Sequence, residues 1–228
     1  MIPLKVLLGR HGFPGITVAL IAINFVVFAH ELSLSPRGLQ HFYLQYGLVP
    51  ARFSLALAGQ HVSFAALIVP LFSSLFIHGG WLHILGNMWF LWVFGGAVED
   101  TLGAGGYLTF YLVCGLMAGI TQSLFSWASP IPTIGASGAI SGVMGAYLIL
   151  YPRSKVLTLV PLIFFFFTWR LPALVMIGYW FLVQFVSGLA SLGVLQQGGV
   201  AFWAHVGGFL LGAAIAVPSK RRVLWYPT

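Results

Sequence analysis

One serine and one histidine of this sequence lie in apolar runs and could do chemistry together. Ser137 stands in Gly-Ala-Ser-Gly at 135–138, and His205 stands in Ala-His-Val-Gly-Gly at 204–208. Polar groups at membrane depth are costly, so an ionisable residue there predicts a functional site. An imidazole beside a hydroxyl activates serine for acyl transfer. The two residues therefore predict a catalytic pair, with Ser137 as nucleophile and His205 as general base.

The composition predicts a membrane protein. Hydrophobic residues make up 60% of the chain and charged residues 6%, and the mean hydropathy is +1.00, which excludes a soluble globular domain. The net charge of +7 is spread along the chain, which argues against a nucleic-acid partner. Arg10 and the basic cluster at 220–222 predict that both termini are cytoplasmic. The lipid bilayer is the expected partner, and the compact chain is typical of a bacterial plasma membrane.

The fold predicted from hydropathy is an all-α polytopic bundle of six transmembrane helices in one domain, 1–228. The spans are expected at about 16–30, 81–98, 105–125, 137–151, 172–192 and 201–217, with a membrane-associated first loop at about 31–80. Two more apolar segments, 62–77 and 156–167, contain prolines. We interpret them as interfacial or re-entrant, because cytoplasmic termini require an even number of spans. An extra crossing would also separate Ser137 from His205.

The fourth span is short. From Ser137 to Tyr151 it would measure roughly 22 Å at ~1.5 Å per residue, against a hydrocarbon core of about 30 Å. If Arg153 and Lys155 hold its inner end at the cytoplasmic interface, Ser137 lies below the outer surface and is reached from a cavity.

Small residues predict close packing of the fourth span on the sixth. They recur at four-residue intervals, as Gly138 and Gly142 on one span and Gly208 and Gly212 on the other. This spacing alone leaves open that the glycines only pack helices and that Ser137 bonds to its own chain.

Two polar residues of the second span could assist the serine. His83 and Asn87 are four residues apart and share a helix face. Their side chains, with the Ser137 backbone N–H at a helix start, are suitable donors to an oxyanion. The alternative is that they only bond helices together. A metal site is the poorer alternative, since His78, His83 and His205 lack a His-Glu-x-x-His pattern and the chain has three acids.

Four motifs in this order resemble the rhomboid intramembrane serine proteases, and the resemblance covers most of the chain. They are His-x-x-x-Asn at 83–87, Gly-Gly-Ala-Val-Glu at 95–99, Gly-x-Ser-Gly at 135–138 and Ala-His-x-x-Gly-x-x-x-Gly at 204–212. Each motif alone is weak, but the ordered set is specific.

The resemblance implies a six-helix core in which Ser137 is the nucleophile and His205 its base, with no third carboxylate. It implies that His83 and Asn87 assist the Ser137 amide at the oxyanion, and that His78 lies in the region of water access. The expected activity is cleavage of transmembrane protein substrates, without metal, nucleotide or other cofactor. Substrate helices would enter between spans, and the fifth span is the candidate gate.

The sequence departs from the family pattern at two places. A Trp-Arg pair common in the first loop is here Val69-Pro70, so other contacts must hold that loop. A tyrosine that packs on the base in some members is here Ser141, so another group must orient His205.

Two other functions stay open at this point. A catalytically silent rhomboid-like protein could bind client helices, and a small-solute channel or transporter could also use glycine-rich helices with buried polar residues. No inverted repeat is visible, and we expect no buried acids for ion coupling. Only the protease is expected to react covalently with a fluorophosphonate at Ser137.

Overall fold

The computed structural model describes residues 1–8, 12–162, 165–192 and 199–219, and helices dominate them. Arg10 and the cluster at 220–222, on which the prediction of cytoplasmic termini rests, lie outside these residues. The chain begins with a strand, β1 (Ile2–Val6), and a long helix, α1 (Gly15–Ser33). Three short helices and a 3-10 turn follow in the first loop: α2 (Pro36–Tyr46), α3 (Ala51–Leu57), α4 (Phe64–Ser73) and the turn Ser74–Phe76.

The remaining helices are α5 (Trp81–Leu102), α6 (Ala104–Phe125), α7 (Ser137–Leu150), α8 (Ala173–Ala190) and α9 (Phe202–Ala216). Within the described ranges, α1, α5, α6 and α8 are long and apolar enough to cross a membrane, while α7 and α9 are apolar but shorter. These six helices coincide with the six predicted spans to within a few residues at each end. The protein is thus a mostly helical integral membrane protein.

The prediction of an all-α fold is wrong in one place. The described residues of segment 156–167 lie in two antiparallel strands that form a hairpin, β2 (Lys155–Leu162) and β3 (Phe165–Pro172). The interfacial or re-entrant position of this segment stays a prediction. β1 adds to β2, which gives a three-stranded sheet in the order β1-β2-β3. The segment is rich in β-branched and aromatic residues, which favour strands, and strand pairing satisfies its backbone groups. The two ends of the hairpin lie side by side, because Lys155 pairs with Pro172.

The first loop is helical rather than irregular. Ser35 and Ser63 cap α2 and α4, since their side chains accept hydrogen bonds from the backbone N–H groups of Gly38 and Ala66. Segment 62–77 contains α4 and the 3-10 turn. The ten residues of α4 span about 15 Å, which is too short for a crossing. Its interfacial position stays a prediction.

Hydrogen bonds tie this loop to α1, as the missing Trp-Arg pair requires. The expectation that buried acids are missing is wrong, because Glu31 is buried in α1. It accepts hydrogen bonds from the His78 backbone N–H at 3.1 Å and from the Tyr43 hydroxyl at 3.3 Å. The Ser73 hydroxyl donates to the Tyr46 carbonyl at 2.7 Å. The loop therefore has a fixed position next to the start of α5.

Backbone contact between α7 and α9 is the closest packing in the bundle. A Cβ atom built on Gly208 would overlap the carbonyl oxygen of Gly138, and one on Gly212 would overlap the carbonyl oxygen of Gly142. Both pairs advance together along the two helices, so α7 and α9 run parallel. Parallel helices in direct contact place their first turns side by side.

Candidate active site

The first turns of α7 and α9 bring the predicted nucleophile and base together. Ser137 is the first residue of α7, and His205 lies in the first turn of α9. The Oγ atom of Ser137 lies 2.7 Å from Nε2 of His205, which is hydrogen-bond distance. The alternative that Ser137 bonds to its own chain does not describe this geometry. It is Ser141 whose hydroxyl donates to its own helix, to the Ser137 carbonyl at 2.6 Å.

The other ring nitrogen of His205 is held by a residue that sequence reasoning missed. Oε1 of Gln184, on α8, lies 2.7 Å from Nδ1 of His205. The Trp180 ring, one turn earlier on α8, lies 5.8 Å from the imidazole between centroids. A polar amide in an apolar helix is itself a signal of function, and this signal could have identified Gln184.

His83 points its Nε2 atom at the loop before the nucleophile. The backbone N–H of Gly79 donates to Nδ1 of His83 at 3.3 Å. In the neutral ring, Nε2 then carries the proton and is free to donate. A Cβ atom built on Gly135 would lie 2.7 Å from that Nε2, and Gly135 has a φ of +125°. A glycine at 135 therefore leaves room for a donor two residues from Ser137.

Asn87 lies beside His83, and His78 lies behind Asn87. Nδ2 of Asn87 lies 2.9 Å from Nε2 of His78. His78 is fully buried, and burial first, then the neighbouring His83, lowers the pKa of His78 to about 4. The ring is therefore neutral near pH 7 and can accept from the amide, while the second N–H of Asn87 remains available. A role of His78 in water access stays a prediction.

A cavity of about 610 Å³ lies at the site. The four side chains of the predicted site, His83, Asn87, Ser137 and His205, all line it. Polar lining also comes from Gln122, Ser126, Ser129 and Thr133. Gln122 in addition accepts a hydrogen bond from the Ala204 backbone N–H at 3.2 Å, at the start of α9. The cavity can therefore admit a peptide segment or water to Ser137.

The segment that leads into Ser137 is fixed by the first loop. Leu48 forms an isolated antiparallel bridge with Thr133, and the Gly135 N–H donates to the Ser74 carbonyl at 2.9 Å. The Ala51 N–H donates to the Ser129 carbonyl at 3.0 Å. The first loop thus positions the nucleophile segment through backbone hydrogen bonds.

Metal ligation has no candidate among the residues that the structure describes. No three His, Cys, Asp or Glu side chains in those ranges cluster as they would around a metal ion.

The four glycines predicted to pack the helices, Gly138, Gly142, Gly208 and Gly212, all lie at the contact of α7 with α9. The hydroxyl of Ser137 beside the imidazole of His205 is an arrangement suited to nucleophilic acyl transfer.

A family model described as "Rhomboid domain" matches residues 65–222. The chain is 31% identical over 155 residues to Rhomboid protein 1, mitochondrial, of Saccharomyces cerevisiae, which covers 63% of this chain and 40% of the relative. It is 31% identical to Rhomboid protease GluP of Bacillus subtilis, covering 65% of this chain and 26% of the relative. It is 32% identical to Rhomboid protease GlpG of Klebsiella pneumoniae, covering 64% and 46%. The matches span less than half the length of these relatives, and they confirm the predicted resemblance.

Proposed function

Because this chain belongs to the rhomboid family, we propose that it is an intramembrane serine endopeptidase. It cleaves peptide bonds in or near the transmembrane segments of other membrane proteins. The observation that carries the proposal is the 2.7 Å separation of Ser137 Oγ and His205 Nε2. Both residues line a cavity large enough for an unwound peptide.

Acylation begins with His205. Its Nε2 atom takes the hydroxyl proton as Oγ of Ser137 attacks the carbonyl carbon of the substrate. Negative charge develops on the substrate oxygen, and preorganised donors stabilise it. The donors are the Ser137 backbone N–H, Nε2–H of His83 and the second amide N–H of Asn87. The Ser137 N–H is suited to this role because it opens α7 and has no carbonyl partner within its own helix.

When the tetrahedral intermediate breaks down, His205 gives up the proton that it took. The imidazolium of His205 gives its proton to the leaving amine, and the C–N bond breaks to leave an ester on Ser137. A water molecule then attacks this ester as His205 takes a proton from it. His205 returns that proton to Oγ of Ser137 as the acyl–oxygen bond breaks, which releases the carboxylic acid product and restores the serine. The polar lining of the cavity by Ser126, Ser129 and Thr133 suits it to hold such water.

The membrane arrangement that fits this chemistry has six crossings, with α7 and α9 as two short ones inside the bundle. The 14 residues of α7 measure about 21 Å, so that Ser137 lies below the outer surface of a ~30 Å hydrocarbon core. Both termini are then cytoplasmic, in a bacterial plasma membrane. The preferred substrates are helices with small or helix-breaking residues, because the peptide must unwind before its carbonyl reaches Ser137.

A fluorophosphonate tests the proposal without knowledge of the substrate. The purified protein in detergent is incubated with the probe, and intact-mass analysis with peptide mapping measures covalent addition. We expect one adduct, on Ser137, which Ser137→Ala removes. Ser141→Ala is the matched control on the same helix and should react like wild type. Lack of reaction in the folded wild type, or reaction of the Ser137→Ala variant, would contradict the proposal and favour a silent client-binding protein.

A further inference from the structure

We propose that Gln184 is a positioning residue that holds His205 in the tautomer able to act as a base. This inference rests on the proposed function of the same site and names the group that prepares it. The motifs of the sequence do not include Gln184. Its Oε1 atom lies 2.7 Å from Nδ1 of His205, on the side of the ring opposite Ser137.

A neutral imidazole carries a proton on one of its two nitrogens and a lone pair on the other. With its Oε1 atom toward the ring, Gln184 can only accept, and this arrangement places the proton on Nδ1 of His205. Nε2 then presents its lone pair to the Ser137 hydroxyl, as a general base must. Without an acceptor at Nδ1, the proton can move to Nε2, and His205 would donate to Ser137 instead of accepting from it.

No carboxylate is placed to do this work in the part of the chain that the structure describes. The chain has three acids, and two of them are engaged by hydrogen bonds with other elements. Glu31 accepts from the His78 backbone N–H, and Glu99 accepts from the Thr17 hydroxyl at 2.7 Å, at the start of α1. Asp100 adjoins Glu99 on α5. The amide of Gln184 therefore takes the position that an aspartate has in a Ser-His-Asp triad.

The position of Gln184 on α8 makes the orientation of His205 depend on that helix. α8 is packed loosely, with buried residues limited to Ala173, Met176, Ile177 and Gly188. It nevertheless carries both groups that flank the His205 ring, Gln184 by hydrogen bond and Trp180 by ring contact. Correct orientation of the base thus depends on α8 lying against α9.

The kinetic test uses two substitutions of Gln184 in the full chain. Gln184→Met keeps the length of the side chain and removes the acceptor, and Gln184→Glu keeps an acceptor in place. We expect Gln184→Met to slow fluorophosphonate labelling and lower kcat by about 10 to 10³-fold with little change in KM, below the ~10⁴-fold loss that follows a wrong tautomer in a triad. Gln184→Glu should be at least tenfold more active than Gln184→Met. The matched control is Val183→Ala, at the neighbouring exposed position, which should behave as wild type.

A spectroscopic test reads the tautomer directly and needs no turnover. The protein is labelled with ¹⁵N-histidine in detergent micelles, and the His205 signals are assigned by their loss in His205→Gln. In wild type we expect a protonated Nδ1 and an unprotonated Nε2, and in Gln184→Met a signal from protonated Nε2.

Three results would overturn the inference: wild-type labelling by the folded Gln184→Met protein, equal losses in Gln184→Met and Gln184→Glu, or an Nε2-protonated His205 in wild type. These results are distinct from a failure of the proposed function. If wild type does not react with the fluorophosphonate, the protease is excluded, while the ¹⁵N signals still decide the role of Gln184.

Discussion

In the mechanism that we propose, Ser137 and His205 form a catalytic pair, and His205 is supported by an amide rather than by an acid. On one side the His205 ring contacts the Ser137 hydroxyl, and on the other it contacts the amide of Gln184. Neutral partners suit a buried site, because an unpaired carboxylate would be costly to desolvate. The oxyanion donors that we propose, the N–H groups of His83, Asn87 and the Ser137 backbone, are likewise neutral, and these three residues line the cavity.

The pair should behave as a unit in mutagenesis. Because proton removal and attack are one step, Ser137→Ala and His205→Ala should each abolish cleavage of a membrane-anchored reporter. The double variant should lose no more than either single variant. Rates measured with equal amounts of purified protein test this prediction, and losses that add in the double variant would argue against a shared step. The melting temperature of Ser137→Ala should stay near that of wild type, because one hydroxyl contributes about 1 kcal/mol.

Asn87 separates an oxyanion role from a purely structural one. If its amide donates to the developing oxyanion, Asn87→Ala should lower kcat by about 10 to 10³-fold with little change in KM. Shared work with His83 and the Ser137 N–H would place the loss near the lower end. The bond to His78 predicts an additional loss of stability of about 0.6 to 2 kcal/mol. Measuring kcat and melting temperature on one sample decides the matter: a protein that melts earlier yet turns over normally would remove Asn87 from the site.

Among the helices, geometry at the site depends on the contact of α7 with α9. Their glycines bring backbone against backbone, and Cys114 of α6 closes the third side, since a Cβ atom on Gly142 would lie 2.5 Å from the Cβ of Cys114. The distance from Ser137 to His205 therefore depends on small residues within about two turns of the site. The position of Ser137 also depends on the first loop, because the backbone of that loop holds the segment that precedes α7.

Adding a single methyl group at this contact should change the geometry of the site. Gly142→Ala forces α6, α7 or α9 to shift, which we expect to cost about 1 to 3 kcal/mol in stability and to lower kcat by displacing His205. Gly178→Ala on α8 is the matched control, because a Cβ atom there has no neighbour within 4 Å. Thermal unfolding and reporter cleavage, measured for both variants, should separate them. Equal behaviour of the two would mean that the α7–α9 contact tolerates expansion.

Loosening α8 should slow the chemistry even for a small probe. The Phe181 ring stacks on Phe209 of α9 with centroids 4.4 Å apart, and this contact keeps Gln184 beside His205. Phe181→Ala should therefore reduce the rate of fluorophosphonate labelling, whereas Leu182→Ala, at an exposed position of the same helix, should not. If α8 is only a gate, Phe181→Ala should leave labelling unchanged and speed the cleavage of helical substrates.

For the whole molecule, the sequence predicted what depends on local pattern. Apolar runs predicted the helices, and the ordered motifs predicted which residues would be neighbours. The strands of segment 156–167 were missed because an apolar run does not show which segments it pairs with: β2 pairs with β3 and also with residues 2–6, some 150 positions away. Gln184 was missed for a related reason, since its partner is on another helix and hydropathy registers it only as an interruption.

Cleavage of a membrane substrate in a defined bilayer tests the central claim most directly. The purified protein and a single-pass reporter with a glycine-containing transmembrane segment are placed in the same liposomes, and products are identified by mass spectrometry. We predict a cut within or next to the reporter's membrane segment that depends on Ser137 and is retained in Ser141→Ala. An intact reporter in the presence of folded wild-type protein, or the same cut by Ser137→Ala, would contradict the assignment of this chain as an intramembrane serine protease.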